Sequence, residues 1–365
     1  MLSKTRDTLL LGTRKGLLTF ARENGKWSLA GEAHQAIPVS YADVDARTGH
    51  WWACLDHGHW GNKLHRSRDE GKSWQELAAP KYPEGEEIKE GVPASLSYLW
   101  VFAPGGADQP ERVYLGTIPG GLFCSDDGGE TFELVRGLWD HPSRKTNWFG
   151  GGYDHPGIHS ILVDPADSRR VLVGISCAGV FETTDGGQSW NARNRGLKAE
   201  FLPDQEAEYG HDPHRLDVCG ADFRAMWQQN HCGIFRSTDG AVSWEMVSQE
   251  GGPAHFGFAL AVHPQRGDTA WVVPALSDEK RVAIDRSLCV CRTEDGGRSW
   301  TALRRGLPQQ NCYDIVYRHG LDGCGERLAF GTTTGNLYIS DDGGEGWQAV
   351  AHHLPPIYSV RFADL

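Results

Sequence analysis

One short pattern recurs along the whole chain: Ser or Thr, any residue, Asp, any residue, Gly, two residues, then an aromatic. It stands as SRDEGKSW from Ser67, SDDGGETF from Ser125, TTDGGQSW from Thr183, STDGAVSW from Ser237, TEDGGRSW from Thr293 and SDDGGEGW from Ser340. The aspartates Asp69, Asp127, Asp185, Asp239, Asp295 and Asp342 are separated by 58, 58, 54, 56 and 47 residues. A repeat of that length marks stacked supersecondary units rather than separate domains. Its chemistry is that of a turn. The Asp accepts hydrogen bonds from its own backbone, the Gly takes a positive φ, and the aromatic pins the turn to the next strand. In the fourth copy Ala241 replaces the Gly, which predicts a strained turn. Six equivalent turns cannot be one active site, so these aspartates are assigned to structure.

Upstream of the turns lie paired strand signals such as RVYLGTIPGGLFCS from Arg112 and RVLVGISCAGVFET from Arg170, usually with Gly at the hairpin. Before most of these comes another apolar strand ending near Pro, as in SYLWVFAP and SILVDP. Each unit is thus a four-stranded antiparallel meander with the aspartate turn between its third and fourth strands. LLLGTRKGLLTF near the start, followed by a degenerate turn around Asn24 to Trp27, supplies a seventh unit that lacks a first strand. The terminal segment IYSVRFADL fits that vacancy. The expected fold is an all-β, seven-bladed β-propeller spanning residues 1–365 as one domain, closed by the C-terminal strand joining the N-terminal blade.

These turns and hairpins resemble the Asp-box, or BNR, repeat propellers, a family that includes sialidases, xyloglucan-type glycoside hydrolases, sortilin-like receptors and photosystem assembly factors. The resemblance covers nearly the whole chain and implies a glycosyl-hydrolase-like protein whose Asp-boxes lie on the face away from the active site. It is sialidase-like in architecture only. Sialidases have six blades and an Arg-Ile-Pro signature, whereas this chain has seven units and GTRKG from Gly12 where that signature would fall.

Composition narrows the function classes. A net charge of −12 repels a phosphate backbone, so nucleic acid is not an expected partner. The longest apolar runs, such as Phe258 to Val262, are too short to span a bilayer, so no membrane span is expected. The N-terminal residues lack an export signal, which predicts a cytoplasmic protein. Nine cysteines without CxxC pairs argue for buried thiols rather than a disulfide framework.

Strand order puts the turns between second and third strands on one face with the inter-blade loops, opposite the aspartate turns. Eight of the sixteen histidines fall on that top face: His57, His59, His155, His159, His211, His214, His231 and His255. Aligning the hairpins on their aspartate turns places Pro119, Cys177, His231 and Thr334 at one ring position, with Arg14 and His59 near it. The expected ligand-binding residues are Arg14, His57, His59, Tyr153, His159, His214, Arg215 and His231, with Trp60, Trp148 and Tyr153 available to stack on a sugar. A glycoside hydrolase needs two carboxyl groups; Asp154 and Asp212 are the best top-face pair, with Asp56 as substitute, and each also suits an ordinary turn. The predicted partner is a small polar or carbohydrate ligand, with no cofactor. Two alternatives stand beside it. One is a divalent-metal enzyme, its ligands drawn from His159, His214 and His231; the other is a non-catalytic platform for a protein partner. The acidic run from Tyr82 reads as a solvated inter-blade insertion, and the segment from Leu276 as a longer hairpin in the sixth blade. Either is placed to cover the mouth.

Overall fold

The structure is a computed structural model and describes residues 7–363. Seven four-stranded antiparallel sheets follow one another, each innermost strand touching the next around a central axis. The chain is a seven-bladed β-propeller. Blade 1 takes its innermost strand from Ile357–Ala363, followed outward by Thr8–Thr13, Gly16–Glu23 and Lys26–Ala33. Blades 2 to 7 begin at Val39, Tyr98, Gly157, Pro213, Gly257 and Leu321, and each runs through four consecutive strands from the axis outward. Ring closure is as the sequence predicts, with Leu9 opposite Phe362 and Leu11 opposite Val360. Asp364 and Leu365 of the closing segment, and residues 1–6, lie outside the described residues.

The strand chemistry follows from this arrangement. A second strand lies between neighbours in its own sheet and between two flanking blades, so it carries apolar residues on both sides: Val113–Ile118 is buried throughout. Outer strands such as Lys26–Ala33 are largely exposed or half-buried. The core therefore sits between blades, as where Trp52 of blade 2 stacks on Phe102 of blade 3 with centroids 4.7 Å apart. Such a pair adds about 1 kcal/mol beyond its buried area. Seven of the nine cysteines are buried and all nine are free thiols.

Five of the six aspartate turns adopt one hydrogen-bond pattern, and the sixth, with Gly346 in place of the Ser or Thr, lacks only the hydroxyl bond to Oδ2. In the third blade the Ser125 hydroxyl donates to Asp127 Oδ1 (2.7 Å) and accepts from the Gly129 amide (2.8 Å). Thr131 gives its amide to Oδ1 and its hydroxyl to Oδ2 (2.6 Å). The position after the Asp-x pair is left-handed every time, with φ of 90° at Gly129 and 68° at Ala241. Their carboxylates are exposed or half-exposed. The turns also join blades. Arg66 donates to the Gly128 carbonyl of the next blade (2.5 Å), Arg170 to Gly240 (2.8 Å) and Arg292 to Gly343 (3.1 Å).

The segment from Tyr82 is not simply solvated. It forms a small hairpin, Glu87–Lys89 with Val92–Pro93. Tyr82 Oη contacts Thr117 Oγ1 and accepts from the Gly121 amide, and Glu86 pairs with Arg136 and accepts from Trp139 Nε1. Among the described residues no helix is long and apolar enough to cross a membrane.

Candidate functional site

A cavity of about 1090 Å³ opens on the face opposite the aspartate turns. Its wall is built from the starts of the innermost strands (Tyr98, Trp100, His214, Phe258, Tyr358), the turns between second and third strands (Arg14, Asp56, Cys177, His231), and the inter-blade loops (Phe149 to His155 excepting Gly150, Phe201, Asp212, Tyr317, Arg318). The sixth-blade insertion adds Asp278 and Arg281, so that segment does reach the mouth, whereas the hairpin from Glu87 does not.

Asp212 is the most heavily engaged carboxylate here. Its Oδ1 accepts from Ser176 Oγ (3.0 Å) and from the Cys177 amide (3.1 Å). Its Oδ2 lies 3.4 Å from His214 Nε2 and 3.6 Å from His231 Nδ1. Burial opposes its charge, but the two imidazoles and the nearby Arg318 outweigh burial and hold the carboxyl well below the usual carboxylate range. Asp154, in contrast, is exposed at the rim of the glycine-rich loop.

Arg318 stands out among the cations. Its guanidinium lies over the Trp100 ring at 4.9 Å and near Phe258 at 5.6 Å, it has no ion pair among the described residues, and its Nε lacks any hydrogen-bond partner. Burial pulls it below the ordinary arginine value, with Asp212 opposing. An unpaired guanidinium between aromatic rings is a ready binder of an anionic or hydroxyl-bearing ligand. Arg281, by comparison, is already tied to Asp278 (2.6 Å). The arrangement offers stacking faces, a fixed anion and a free cation within one polar cavity.

Of the predicted residues, Arg14, Tyr153, Asp154, Asp212, His214 and His231 line the cavity, as does the substitute Asp56. Four do not. His159 is fully buried; its Nε2 donates to the Pro213 carbonyl (2.8 Å), tying blade 4 to blade 5, and its Nδ1 contacts the neighbouring Ser160 Oγ (3.0 Å), so both nitrogens are engaged. It does not reach the cavity wall, and neither ring nitrogen is left over for the ligand or metal expected of it. Arg215 lines a smaller cavity of about 300 Å³ deeper along the axis, with Asp217, Asp322 and Arg361. His57 and His59 flank Trp60 in the turn beside Asp56 and are not part of the lining. Of the three stacking aromatics only Tyr153 is present; Trp148 is buried with Nε1 on Ser143 Oγ, and Trp60 is 72% exposed outside the cavity. Pro119 and Thr334 are also absent from the wall, so the ring alignment holds for Arg14, Cys177 and His231 alone.

Sequence reasoning missed Arg318, Trp100, Tyr98, Tyr317 and Tyr358. The two aromatics Tyr98 and Trp100 were legible as the first residues of SYLWVFAP, since innermost strands begin at the mouth. Arg318 follows no repeat and left no such signal.

No family model matches the chain. It is similar in sequence to xyloglucanases. The xyloglucanase Xgh74A of Acetivibrio thermocellus is 24% identical over 299 residues, which is 72% of this chain and 33% of that protein. The oligoxyloglucan-reducing end-specific xyloglucanase of Emericella nidulans is 29% identical over 218 residues, 52% of this chain and 25% of that protein. The chain thus spans a third or less of the length of these curated relatives. Among solved structures, an ancestral GH74 enzyme superposes with a TM-score of 0.58 at 14% identity, covering 93% of this chain and 40% of that one. YCF48 from Cyanidioschyzon merolae superposes with a TM-score of 0.57 at 15% identity, covering 93% and 91%. Both likenesses concern the fold.

Proposed function

We propose that the top-face cavity binds a small carbohydrate-like ligand and acts on it as a glycoside hydrolase. The observation that carries this reading is the unpaired Arg318 guanidinium set against Trp100 and facing the ionised Asp212 across one cavity. Sugars are bound by such aromatic faces with a few convergent polar groups. The sequence similarity to xyloglucanases supports the same reaction class. In this reading Asp212, kept ionised, activates water or stabilises positive charge, and the exposed Asp154 donates the proton. The test is turnover and binding of xyloglucan oligosaccharides, and of oligosaccharides bearing a uronate. Asp154→Asn should abolish hydrolysis while leaving binding within about tenfold, because only the proton transfer is lost. Hydrolysis unchanged in both Asp154→Asn and Asp212→Asn would overturn the assignment.

A protein-binding platform is the second reading, favoured by Phe149, Tyr153 and Phe201, which line the cavity yet stay 38 to 45% exposed. A partner docked there would compete with the sugar, so competition binding separates the two.

A further inference from the structure

Three side chains of the fifth-blade region meet at the wall of the cavity: Asp212 and His214 at the start of its innermost strand, and His231 in the turn between its second and third strands. One ligand-capable atom of each lies within 4.8 Å of the others. The Asp212 Oδ2 separations of 3.4 Å to His214 Nε2 and 3.6 Å to His231 Nδ1 are those expected around a tetrahedral ion. Bonds of about 2.1 Å at tetrahedral angles put neighbouring ligand atoms about 3.4 Å apart.

The outer contacts aim these groups. His214 is 2% exposed, and its Nδ1 donates to the Gly257 carbonyl at 2.6 Å. With the ring hydrogen committed there, the neutral imidazole turns its Nε2 lone pair toward a carboxylate oxygen. In that tautomer two acceptors face each other at 3.4 Å, a contact made favourable by a metal ion or by a proton on Nε2, and the titration below separates the two. Asp212 is 7% exposed and uses Oδ1 for Ser176 and the Cys177 amide, which leaves Oδ2 for the same point. A histidine oriented by a backbone carbonyl and a carboxylate oriented by its second oxygen are what metal ligands ordinarily have.

We propose that Asp212, His214 and His231 bind one divalent first-row transition ion, with its open coordination position toward the cavity. Two imidazoles select such an ion over magnesium or calcium, and three protein ligands with an open position are the pattern of reactive rather than structural sites. Arg318, within the field of Asp212, adds a second positive charge, so an anionic group on the ligand fits between ion and guanidinium. The site shares Asp212 with the carbohydrate reading, but ion uptake is measured without hydrolysis, so the failure of either leaves the other standing.

The test uses the full chain, stripped with a chelator and titrated with Zn²⁺ by calorimetry and with Co²⁺ by visible absorption. The parent should take up about one equivalent and give the intense visible bands of tetrahedral cobalt. His231→Ala, at a half-exposed position, should weaken Zn²⁺ binding at least about tenfold. Asp154→Asn, which removes a carboxyl outside the triad, should bind as the parent does. A parent that takes up no ion would show that His214 and Asp212 form an ordinary imidazolium–carboxylate pair, and the proposal fails. Uptake undiminished in a folded His231→Ala chain would place the ion elsewhere and overturn it equally. Should that variant misfold, the parent's cobalt spectrum still decides, because octahedral bands are weak and exclude this ligand geometry.

Discussion

Arg361 of the closing strand donates from Nε to Tyr41 Oη of blade 2 at 3.0 Å, and its guanidinium also reaches Asp322 of blade 7 at 3.3 Å and Asp43 of blade 2 at 3.6 Å. One buried side chain thus bridges the blades on either side of the junction where the two ends of the chain meet. A backbone ladder alone would close blade 1 on itself; this cation fixes blade 1 against both neighbours.

Arg361→Leu should lower stability by about 2 kcal/mol, since it leaves the half-buried Asp43 and Asp322 without their cation. Urea denaturation measures this directly. A midpoint equal to the parent's would mean that closure rests on strand pairing alone.

The aspartate turns should dominate the acid limb of stability. The carboxyl of Asp127 is held at about 2, first by the Thr131 hydroxyl, then by the Thr131 amide and the Ser125 hydroxyl. An unfolded Asp titrates near about 3.9. Because the folded value is the lower one, the stabilisation is full above about pH 4 and is lost as pH falls toward about 2. Asp127→Ala should therefore melt below the parent at neutral pH, with the gap narrowing between those limits. A gap constant down to pH 2 would show that charge plays no part.

Gly129 and Ala241 occupy the same turn position and should respond unequally to exchange. A Cβ on Gly129 would sit 2.5 Å from the Trp52 ring at a φ of 90°. Gly129→Ala should cost about 2 kcal/mol or more, from steric overlap added to left-handed strain. Ala241 already carries its methyl at φ 68°, buried beside Trp244. Its replacement by Gly relieves about 1 kcal/mol of strain but loses about 0.8 kcal/mol of burial and some unfolded-state entropy, so Ala241→Gly should be nearly neutral. Thermal melts of the two variants would contradict this if the order were reversed.

Arg318→Met should leave stability unchanged or raise it by up to about 1 kcal/mol, because it replaces an unpaired cation over two aromatic rings with an apolar side chain of similar length. The same variant should lose most of its affinity for an anionic sugar. Reduced melting with intact binding would make Arg318 a structural residue.

The sequence alone determined the number of blades, their strand order, the place of ring closure and the role of the six aspartates. All of these depend on contacts within one hairpin or on a repeat counted along the chain: the partners of Asp127 lie between Ser125 and Thr131, inside the motif itself. The mouth is another matter. His214 and Arg215 are adjacent on one strand, yet His214 turns to the upper cavity and Arg215 lies deeper along the axis. His159 looked as available as His214 until the Pro213 carbonyl, 54 residues away, took its Nε2. Arg318 gains its exposure to the cavity from Trp100 and Phe258, which belong to blades 3 and 6. A hydrogen bond within a turn is fixed by local geometry. Which polar side chains stay unpaired at the centre of a ring is decided only when distant blades bring, or fail to bring, a partner within reach.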